Sequence, residues 1–504
     1  MNTLTIKLKQ HTPLIHFQHD QEGATLRASE VKPKLDKYIL SKLTAEVRSQ
    51  GIRDGWIKVK NDKVWLDYKM RIIDNPDNVI SLNTNKKRFY TNKDEEKDKN
   101  KGKTIIKVKY GEIIQNNNDR NVRYVIIDQN NKGFFAKLRK SDSKVIYDLD
   151  SYPCFFANMD TDIMNPNEYR KVTFAQDPFD LVIITKHTSL NALLIDKDRL
   201  LISHFFFTHN FGTRQSKGFG SFYPDEEDNL YLDPESSYHF SLPISEEYYD
   251  NEFNRLFKAI ELFSKTLRAG INEKRGKQTV FYFKSLAFMY CKDVLTAEWD
   301  KKKVKSTFYF NDSDRRKDSL SKQRREHPDN IEHDILFFDA ADGYDIRDLM
   351  GFSTNEEWQS YKDSIEKKVA IKKDQRLVFP RKDDTLPVDR MRSPLLIKPI
   401  CQVDDDDNIE YTIHLLFQDE VVGMSQFKRQ EEICFFSKRE KDERGLLKRF
   451  RLKIPQNFTM KDYFDYIFNR LQFDISSHVE EKYQQHEYYE LLDDIYSQLK
   501  KCKL

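Results

Sequence analysis

The densest group of residues suited to binding phosphate is a glycine cluster in mid-chain, FGTRQSKGFGSF at residues 211–222. Glycines allow positive φ angles and close backbone approach, so consecutive N–H groups could face phosphate oxygens while basic side chains add charge. The cluster is neither a GxxxxGK[ST] nor a GxGxxG motif, which argues against an ATPase or a Rossmann domain. It predicts either a cradle for a nucleic-acid backbone or a glycine-rich hairpin with ordinary surface charges. The candidate binding residues in it are Gly212, Arg214, Lys217, Gly218, Phe219 and Gly220.

A second basic group surrounds the expected start of a helix near the N-terminus. The segment HTPL at residues 11–14 ends the first predicted strand, and Ser29 is the expected N-cap of the helix that follows. Arg27, Lys32 and Lys34 flank this helix start. Free N–H groups and the helix dipole attract phosphate there, although the same side chains could simply be solvated first-turn charges.

The third basic group is RMRSPLLIKPI at residues 390–400, a basic turn that enters an apolar strand. Arg390 and Arg392 are its candidate phosphate ligands. Taken alone, such a segment is typical of the start of a strand.

Together, the three groups resemble the RAMP superfamily of CRISPR proteins, and their order and spacing are most similar to the first Cmr subunit of type III-B effector complexes. The resemblance rests on TPL at residues 12–14, LRASE at 26–30, the glycine cluster at 212–222 and RSPL at 392–395. The glycine loop is characteristic of the superfamily, and the other motifs are short. These motifs cover only a small part of the chain but are spread over most of its length.

The resemblance implies an α+β fold with tandem ferredoxin-like, RRM-related RAMP domains and helical elaborations. It also implies a protein of antiviral defence that binds guide RNA and target RNA beside other Cmr subunits, without cofactor, metal or nuclease chemistry of its own. Carried over by position, Arg27, Arg214, Lys217 and Arg392 would contact RNA phosphates, and the three loop glycines would shape the loop.

Two other functions remain open. Some RAMP proteins are metal-independent endoribonucleases that process guide RNA with a histidine near the first helix, and His11, His16 and His19 lie in that region. His16 and His19 are the candidate catalytic residues of this alternative. None of the three has an evident charged partner at fixed spacing, which favours a packing or surface role. The other alternative is a scaffold that contacts only neighbouring subunits.

Hydrophobic periodicity predicts the elements that must position these groups. Strands are expected at residues 3–8, 104–108, 123–127, 180–185, 200–207, 376–379, 395–400 and 411–417, with a hairpin around Asn61-Asp62. Helices are expected from Ser29 onward and at residues 252–267, 282–299, 356–370 and 460–499. The charged segments 91–103 and 300–328 are expected to be exposed loops.

Composition limits the class of protein. The chain has 504 residues, with 36 Phe and 25 Tyr, which is enough for more than one hydrophobic core. Its formal charge of +3 is too balanced for a polycation. Strands dominate up to about residue 240 and helices follow, which predicts one domain at residues 1–242 and a helix-rich one at 243–504. Five dispersed cysteines form no CxxC pair, which argues against zinc and for a reducing cytoplasm. No apolar stretch is long enough to span a membrane, so the protein is expected to be soluble.

Overall fold

A computed structural model describes most of the chain, and the statements below concern the described residues. These are residues 1–15, 26–74, 79–83, 94–98, 103–108, 122–127, 133–141, 144–149, 171–175, 177–196, 200–225, 238–244, 249–275, 278–308, 343–358, 363–373, 376–378, 390–403, 409–418, 424–428, 432–441 and 447–502. The chain forms two compact units, Met1–Tyr231 with Leu242–Lys258 and Pro399–Tyr411, and Leu232–Ser241 with Ala259–Lys398 and Thr412–Leu504. The predicted division at residues 242 and 243 stays a prediction.

The first unit is mainly built from strands. Its elements are β1 (Asn2–Gln10), α1 (Ala28–Lys42), α2 (Ala45–Arg53), β2 (Ile57–Lys60), β3 (Lys63–Leu66), β4 (Lys69–Ile73), β5 (Val79–Asn83), β6 (Asp94–Asp98), β7 (Lys103–Val108), β8 (Val122–Ile127), β9 (Gly133–Ser141), β10 (Lys144–Leu149), β11 (Lys171–Ala175), β12 (Phe179–Thr185), α3 (Thr188–Leu194), α4 (Leu201–Thr208), the 3-10 turn Gln215–Lys217 and β13 (Phe222–Pro224).

The main sheet of the first unit has the order β13-β1-β12-β4, and each adjacent pair is antiparallel. Strand β12 alternates strictly between buried and half-buried residues, which is the pattern of a strand with one face on a core. The register places Leu8 opposite Phe179 and Ile6 opposite Leu181. Helix α1 buries Val31, Leu35 and Ile39 at helical spacing, so this helix and the sheet supply two sides of the same unit's core.

Four elements have residues in both units: β14 (Tyr238–Ile244), α5 (Tyr249–Arg268) and the two strands Leu395–Val403 and Ile409–Phe417. The later elements are β15 (Ile271–Arg275), β16 (Gln278–Phe283), α6 (Leu286–Asp293), β17 (Glu298–Trp299), α7 (Asp300–Phe308), β18 (Gly343–Tyr344), the 3-10 turn Arg347–Met350, β19 (Phe352–Ser353), β20 (Asn355–Trp358), β21 (Asp363–Lys373), β22 (Arg376–Val378), β23 (Arg390–Met391), β24 (Leu395–Val403), β25 (Ile409–Phe417), α8 (Met424–Lys428), β26 (Glu432–Lys441), β27 (Leu447–Lys453), α9 (Met460–Asp465), the π-turn Tyr466–Arg470, α10 (Ile475–His478), the 3-10 turn Glu481–Tyr483 and α11 (Glu487–Lys501).

The second unit contains a larger sheet with the order β17-β18-β27-β26-β21-β20, in which β22 also pairs with β21. Its helical core is rich in aromatic contacts. Tyr496 of α11 packs 4.7 Å from Phe473 between ring centroids, and its hydroxyl lies 2.6 Å from the Thr266 hydroxyl. The mixture of helices and mainly antiparallel sheets in the two units confirms the predicted α+β class.

A buried ionic cluster lies beside this sheet. The Lys367 ammonium donates to both carboxylate oxygens of Asp348, at 2.7 and 2.8 Å, and lies 3.2 Å from Glu356. Arg347 binds the same Glu356 at 2.8 Å and also contacts Asp300. Burial alone would raise the pKa of Glu356, but the charges of Arg347 and Lys367 outweigh it and hold that pKa far below the usual value. Glu356 is therefore ionised, and the ion pairs of the cluster join four segments of the unit to one another.

Most predicted elements are present, and the exceptions have physical causes. Residues 201–208 form a helix where a strand was expected. The run is buried on nearly every side, so its sequence shows neither the period of two of a strand nor the period of 3.6 of a helix. Residues 355–358 and 363–373 form strands where a helix was expected. The helix expected at 282–299 is limited to Leu286–Asp293, between two strands. Residues 94–98 form a strand paired with β7, although 91–103 was expected to be a loop. The segment 300–328 was also expected to be a loop, but its first residues form α7, and 309–328 lies outside the described residues.

Candidate nucleic-acid interface

Two of the sequence motifs, the TPL segment and the glycine loop, are joined by their backbones although they lie about 200 residues apart. The Gly220 N–H donates to the Pro13 carbonyl at 2.9 Å. The Thr12 hydroxyl donates to the Gly218 carbonyl at 2.7 Å and accepts from the Ser221 N–H at 2.9 Å. The end of β1 and the glycine loop therefore form one piece of structure.

The loop glycines are required by the shape of this junction. Gly212 and Gly220 have φ angles of 73° and 65°, in the left-handed region that side chains disfavour. A Cβ on Gly212 would meet the carbonyl oxygen of Ile15, and one on Gly220 would meet the Phe211 carbonyl, whose carbon is 2.8 Å away. Both obstacles are backbone atoms. The predicted shaping role of these two glycines thus has a steric basis.

The first turns of α1 lie against the same loop. The Glu30 carboxylate accepts a hydrogen bond of 2.8 Å from the Gly212 N–H. Lys34, one turn later, has its ammonium 3.7 Å from that carboxylate, 3.4 Å from the Asn210 carbonyl and 4.7 Å from the centroid of the Phe211 ring. The pattern of basic residues did not reveal Glu30, although an acid in the first turn of a helix is a known sign of N-terminal capping.

Four basic residues are collected at this junction. Arg27 is the N-cap residue of α1, and its carbonyl accepts from the Glu30 N–H at 2.9 Å. Lys34 lies on the next turn. Arg214 directly precedes the 3-10 turn of the loop and Lys217 is its last residue; Lys217 is exposed and Arg214 is half-buried. Cationic side chains on two elements held together by Glu30 are suited to an extended anion such as a phosphodiester backbone.

The predicted backbone cradle is wrong for most of the loop. Six loop N–H groups donate to acceptors within the protein, which are side-chain or carbonyl oxygens. These donors are the amides of Gly212, Thr213, Lys217, Gly218, Gly220 and Ser221. Since these amides are already bonded, the loop would attract phosphate through its side chains.

Two residues predicted to contact RNA make contacts within the folded chain. Phe219 is buried and its ring stacks on Phe257 at 4.1 Å between centroids, so it belongs to the core of the first unit. The Lys32 ammonium donates to the Asp36 carboxylate at 2.7 Å and to the Leu66 carbonyl at 3.0 Å, and it lies over the Tyr68 ring. Phe219 is therefore a core residue, whereas Lys32 has partners of the same kind as Lys34 and its contact with RNA stays a prediction.

Of the three histidines considered for catalysis, only His11 lies within the described residues. His11 is buried, its Nδ1 accepts from the Cys401 N–H at 3.0 Å, and its carbonyl accepts from the Tyr411 hydroxyl at 2.9 Å. This is the packing role favoured above. His16 and His19 lie outside the described residues.

The two arginines of the third basic group lie in the second unit. Arg390 is exposed at the start of β23, opposite Ser353 of β19. Arg392 is also exposed and directly follows β23. Their contact with RNA stays a prediction.

Comparison with protein-family models decides the family. The model of the Cmr1 N-terminal domain matches residues 1–137 and 112–271, and the model of the Cmr1 C-terminal domain matches residues 282–499. The chain belongs to the Cmr1 family. This confirms the resemblance to the first Cmr subunit, and a Cmr1 protein is a subunit of type III-B CRISPR complexes alongside other Cmr subunits.

The other comparisons added no relatives. No curated protein and no solved structure matched this Cmr1 chain. In the described part of the chain, no helix combines the length and the apolar character needed to cross a bilayer.

Proposed function

We propose that this Cmr1 chain binds RNA, guide or target or both, at the junction of α1 and the glycine loop. The observation that carries the proposal is the hydrogen bond from the Gly212 N–H to Glu30. It holds the loop that bears Arg214 and Lys217 against the helix that begins at Arg27 and carries Lys34. Basic side chains from two elements then line one path for a phosphodiester backbone.

The proposed mechanism is electrostatic holding without chemistry. Lysine and arginine side chains would neutralise RNA phosphates and release counterions, so affinity should fall as salt is raised. Phosphate contacts fix position and carry no sequence information, which base pairing between guide and target would supply. No catalytic group is needed for this role, and the chain would act as a binding subunit in antiviral defence.

The topology of the first unit supports the proposed ferredoxin-like fold. With β1, β4, β12 and β13 as the four strands, the antiparallel order is 4-1-3-2, and helices lie between the first and second and between the third and fourth strands. That is the arrangement of a split βαβ fold. We extend the ferredoxin-like proposal to the second unit by the family resemblance alone.

The test uses purified full-length protein and a labelled single-stranded RNA of guide length, at several salt concentrations and without divalent metal. The double variant R214A/K217A should bind more weakly at every salt concentration. Its salt dependence, the slope of log K against log salt, should be smaller by about 1.4, because each phosphate contact to a single strand contributes about 0.7. The matched control K461A/K500A removes two exposed lysines from helices of the second unit and should bind like the wild type.

The same experiment separates the alternatives. RNA recovered from the binding reaction is run on a denaturing gel, and cleavage would favour the endoribonuclease, to be tested next with H16A and H19A. Absence of binding by the wild type at any salt would favour the scaffold. Binding that R214A/K217A leaves unchanged would place the RNA site elsewhere on the chain.

A further inference from the structure

The hairpin of β2 and β3 projects two chemically different faces. Its register pairs Ile57 with Leu66, Lys58 with Trp65, Val59 with Val64 and Lys60 with Lys63. Side chains alternate between the faces of a strand, so the aliphatic pairs share one face and the lysines and tryptophan share the other. At the base of the apolar face Ile57 and Leu66 are buried, which anchors the hairpin.

The other face, formed by Lys58, Lys60, Lys63 and Trp65, is here called the lysine–tryptophan face. Lys60 and Lys63 lie directly opposite each other next to the turn and are both exposed. Like charges opposite one another in an antiparallel pair destabilise the hairpin. Trp65 leaves 37% of its surface exposed. The free protein thus presents repelling cations beside an exposed aromatic ring, an arrangement that an anionic ligand with planar rings would stabilise.

The positive charge continues beyond the hairpin. The Asp67 carboxylate lies 3.8 Å from both the Lys58 and the Lys186 ammonium groups, and it is 3.0 Å from His187 Nε2. Lys186 therefore lies close to the base of the lysine–tryptophan face, and 69% of its side chain is exposed. One carboxylate shared by two lysines and a histidine leaves this region with an excess of positive charge.

We propose that the lysine–tryptophan face binds single-stranded RNA. It is a second RNA contact of the chain, separate from the glycine loop. Lys58, Lys60, Lys63 and Lys186 contact successive phosphates, and Trp65 stacks on one base. Single-stranded RNA is the occupant that matches both features, since it offers a closely spaced row of negative charge and unstacked bases. The proposal rests on the proposed function only in requiring that the chain binds RNA.

The test measures binding of labelled oligouridylate to the full-length protein at several salt concentrations. The triple variant K58A/K60A/K63A should bind more weakly, with a salt slope smaller by about 2, because each single-strand phosphate contact contributes about 0.7. W65L should lower the affinity about tenfold, since it removes the stacking ring, whereas W65F retains a π face and should stay close to the wild type. The matched control K461A/K500A/K501A removes three exposed lysines on helices and should leave binding and slope unchanged.

Circular dichroism and thermal melting check that each variant is folded. If the wild type binds RNA, R214A/K217A weakens it and both hairpin variants bind like the wild type, this proposal is overturned and the proposed function stands. If W65L and W65F lose affinity equally, stacking is refuted. Hairpin variants that bind RNA normally but no longer join the Cmr complex would make the face a protein contact, which also overturns the proposal. A wild type that binds no RNA would overturn both proposals.

Discussion

Replacing Gly220 by alanine tests whether the steric fit at the junction of β1 and the glycine loop controls RNA binding. Gly220 and Gly55 both have positive φ angles, 65° and 75°. A Cβ on Gly220 would lie 2.8 Å from the Phe211 carbonyl carbon and closer still to its oxygen. A Cβ on Gly55 would have as its nearest neighbour the flexible Lys58 ammonium at 3.7 Å. The two substitutions thus share the conformational penalty, and only Gly220→Ala adds a clash with backbone.

The expected magnitudes follow from these contacts. An alanine in the left-handed region costs about 1 kcal/mol relative to glycine, which is the whole effect expected for Gly55→Ala. Moving the Phe211 carbonyl aside also disturbs the hydrogen bonds from the Phe211 N–H to Gly220 and from the Gly220 N–H to Pro13, both 2.9 Å long. Each is worth about 1 kcal/mol. Gly220→Ala should therefore destabilise the protein by about 3 kcal/mol in total.

Thermal melting and RNA binding measured on the same preparations provide the assay. Gly55→Ala should lower the Tm by about 2–4 °C and Gly220→Ala by about 6–12 °C, the scaling expected for a unit of 150–250 residues. RNA affinity, measured well below both melting temperatures, should fall further for Gly220→Ala than for Gly55→Ala, whose Cβ makes only an ordinary contact with Lys58. Equal losses of Tm would refute the clash, and a Gly220→Ala protein with full RNA affinity would refute the link between loop shape and binding.

Three further predictions concern stability and the loop. Lys367→Met should destabilise the protein by about 3 kcal/mol in urea unfolding, because it removes the nearest cation of the buried Asp348 carboxylate and leaves only Arg268 at 3.4 Å. Burial lowers the pKa of His478 to about 4, so stability should fall as pH drops from about 6.5 to 4, by up to about 3 kcal/mol, and His478→Gln should flatten this dependence in urea titrations at each pH. Glu30→Ala removes the acceptor for the Gly212 N–H and should weaken RNA binding, whereas Glu30→Gln keeps an oxygen there and should bind nearly as well, as measured by filter binding.

Local hydrophobic patterns were sufficient where one side of an element faces a core. Alternation in TLTIKL at residues 3–8 predicted β1, and helical spacing from Phe253 to Leu267 predicted α5, all of whose named apolar residues are buried. The Asn61-Asp62 signal predicted the hairpin because both residues can adopt the positive φ of its turn, 48° and 61°. In these cases the physical cause lies within a few residues of the sequence.

Hydrophobic patterns failed to predict an element where residues distant in the sequence determine its structure. Strand β21 hydrogen-bonds to β20 and β26 on its two sides, and its buried alternation includes Ile365 and Lys367. A lysine does not count as a core residue in a hydrophobicity pattern. It is buried only because Asp348 and Glu356 neutralise it. The strand could not be predicted without those partners.

The same limit explains the error about the glycine loop. Its sequence shows which residues can bend, and one of the two structures it predicted had N–H groups available to a ligand. Four of the oxygens that occupy them come from Thr12, Pro13, Ile15 and Glu30, about 180–210 positions away. Burying those oxygens without donors would be unfavourable, so the loop amides and the TPL segment satisfy one another. A glycine-rich loop that packs against its own chain in this way provides a rigid support for Arg214 and Lys217. Phosphate binding must then depend on side-chain charge, which is why we expect salt and Arg214 to affect RNA binding more than the amides do.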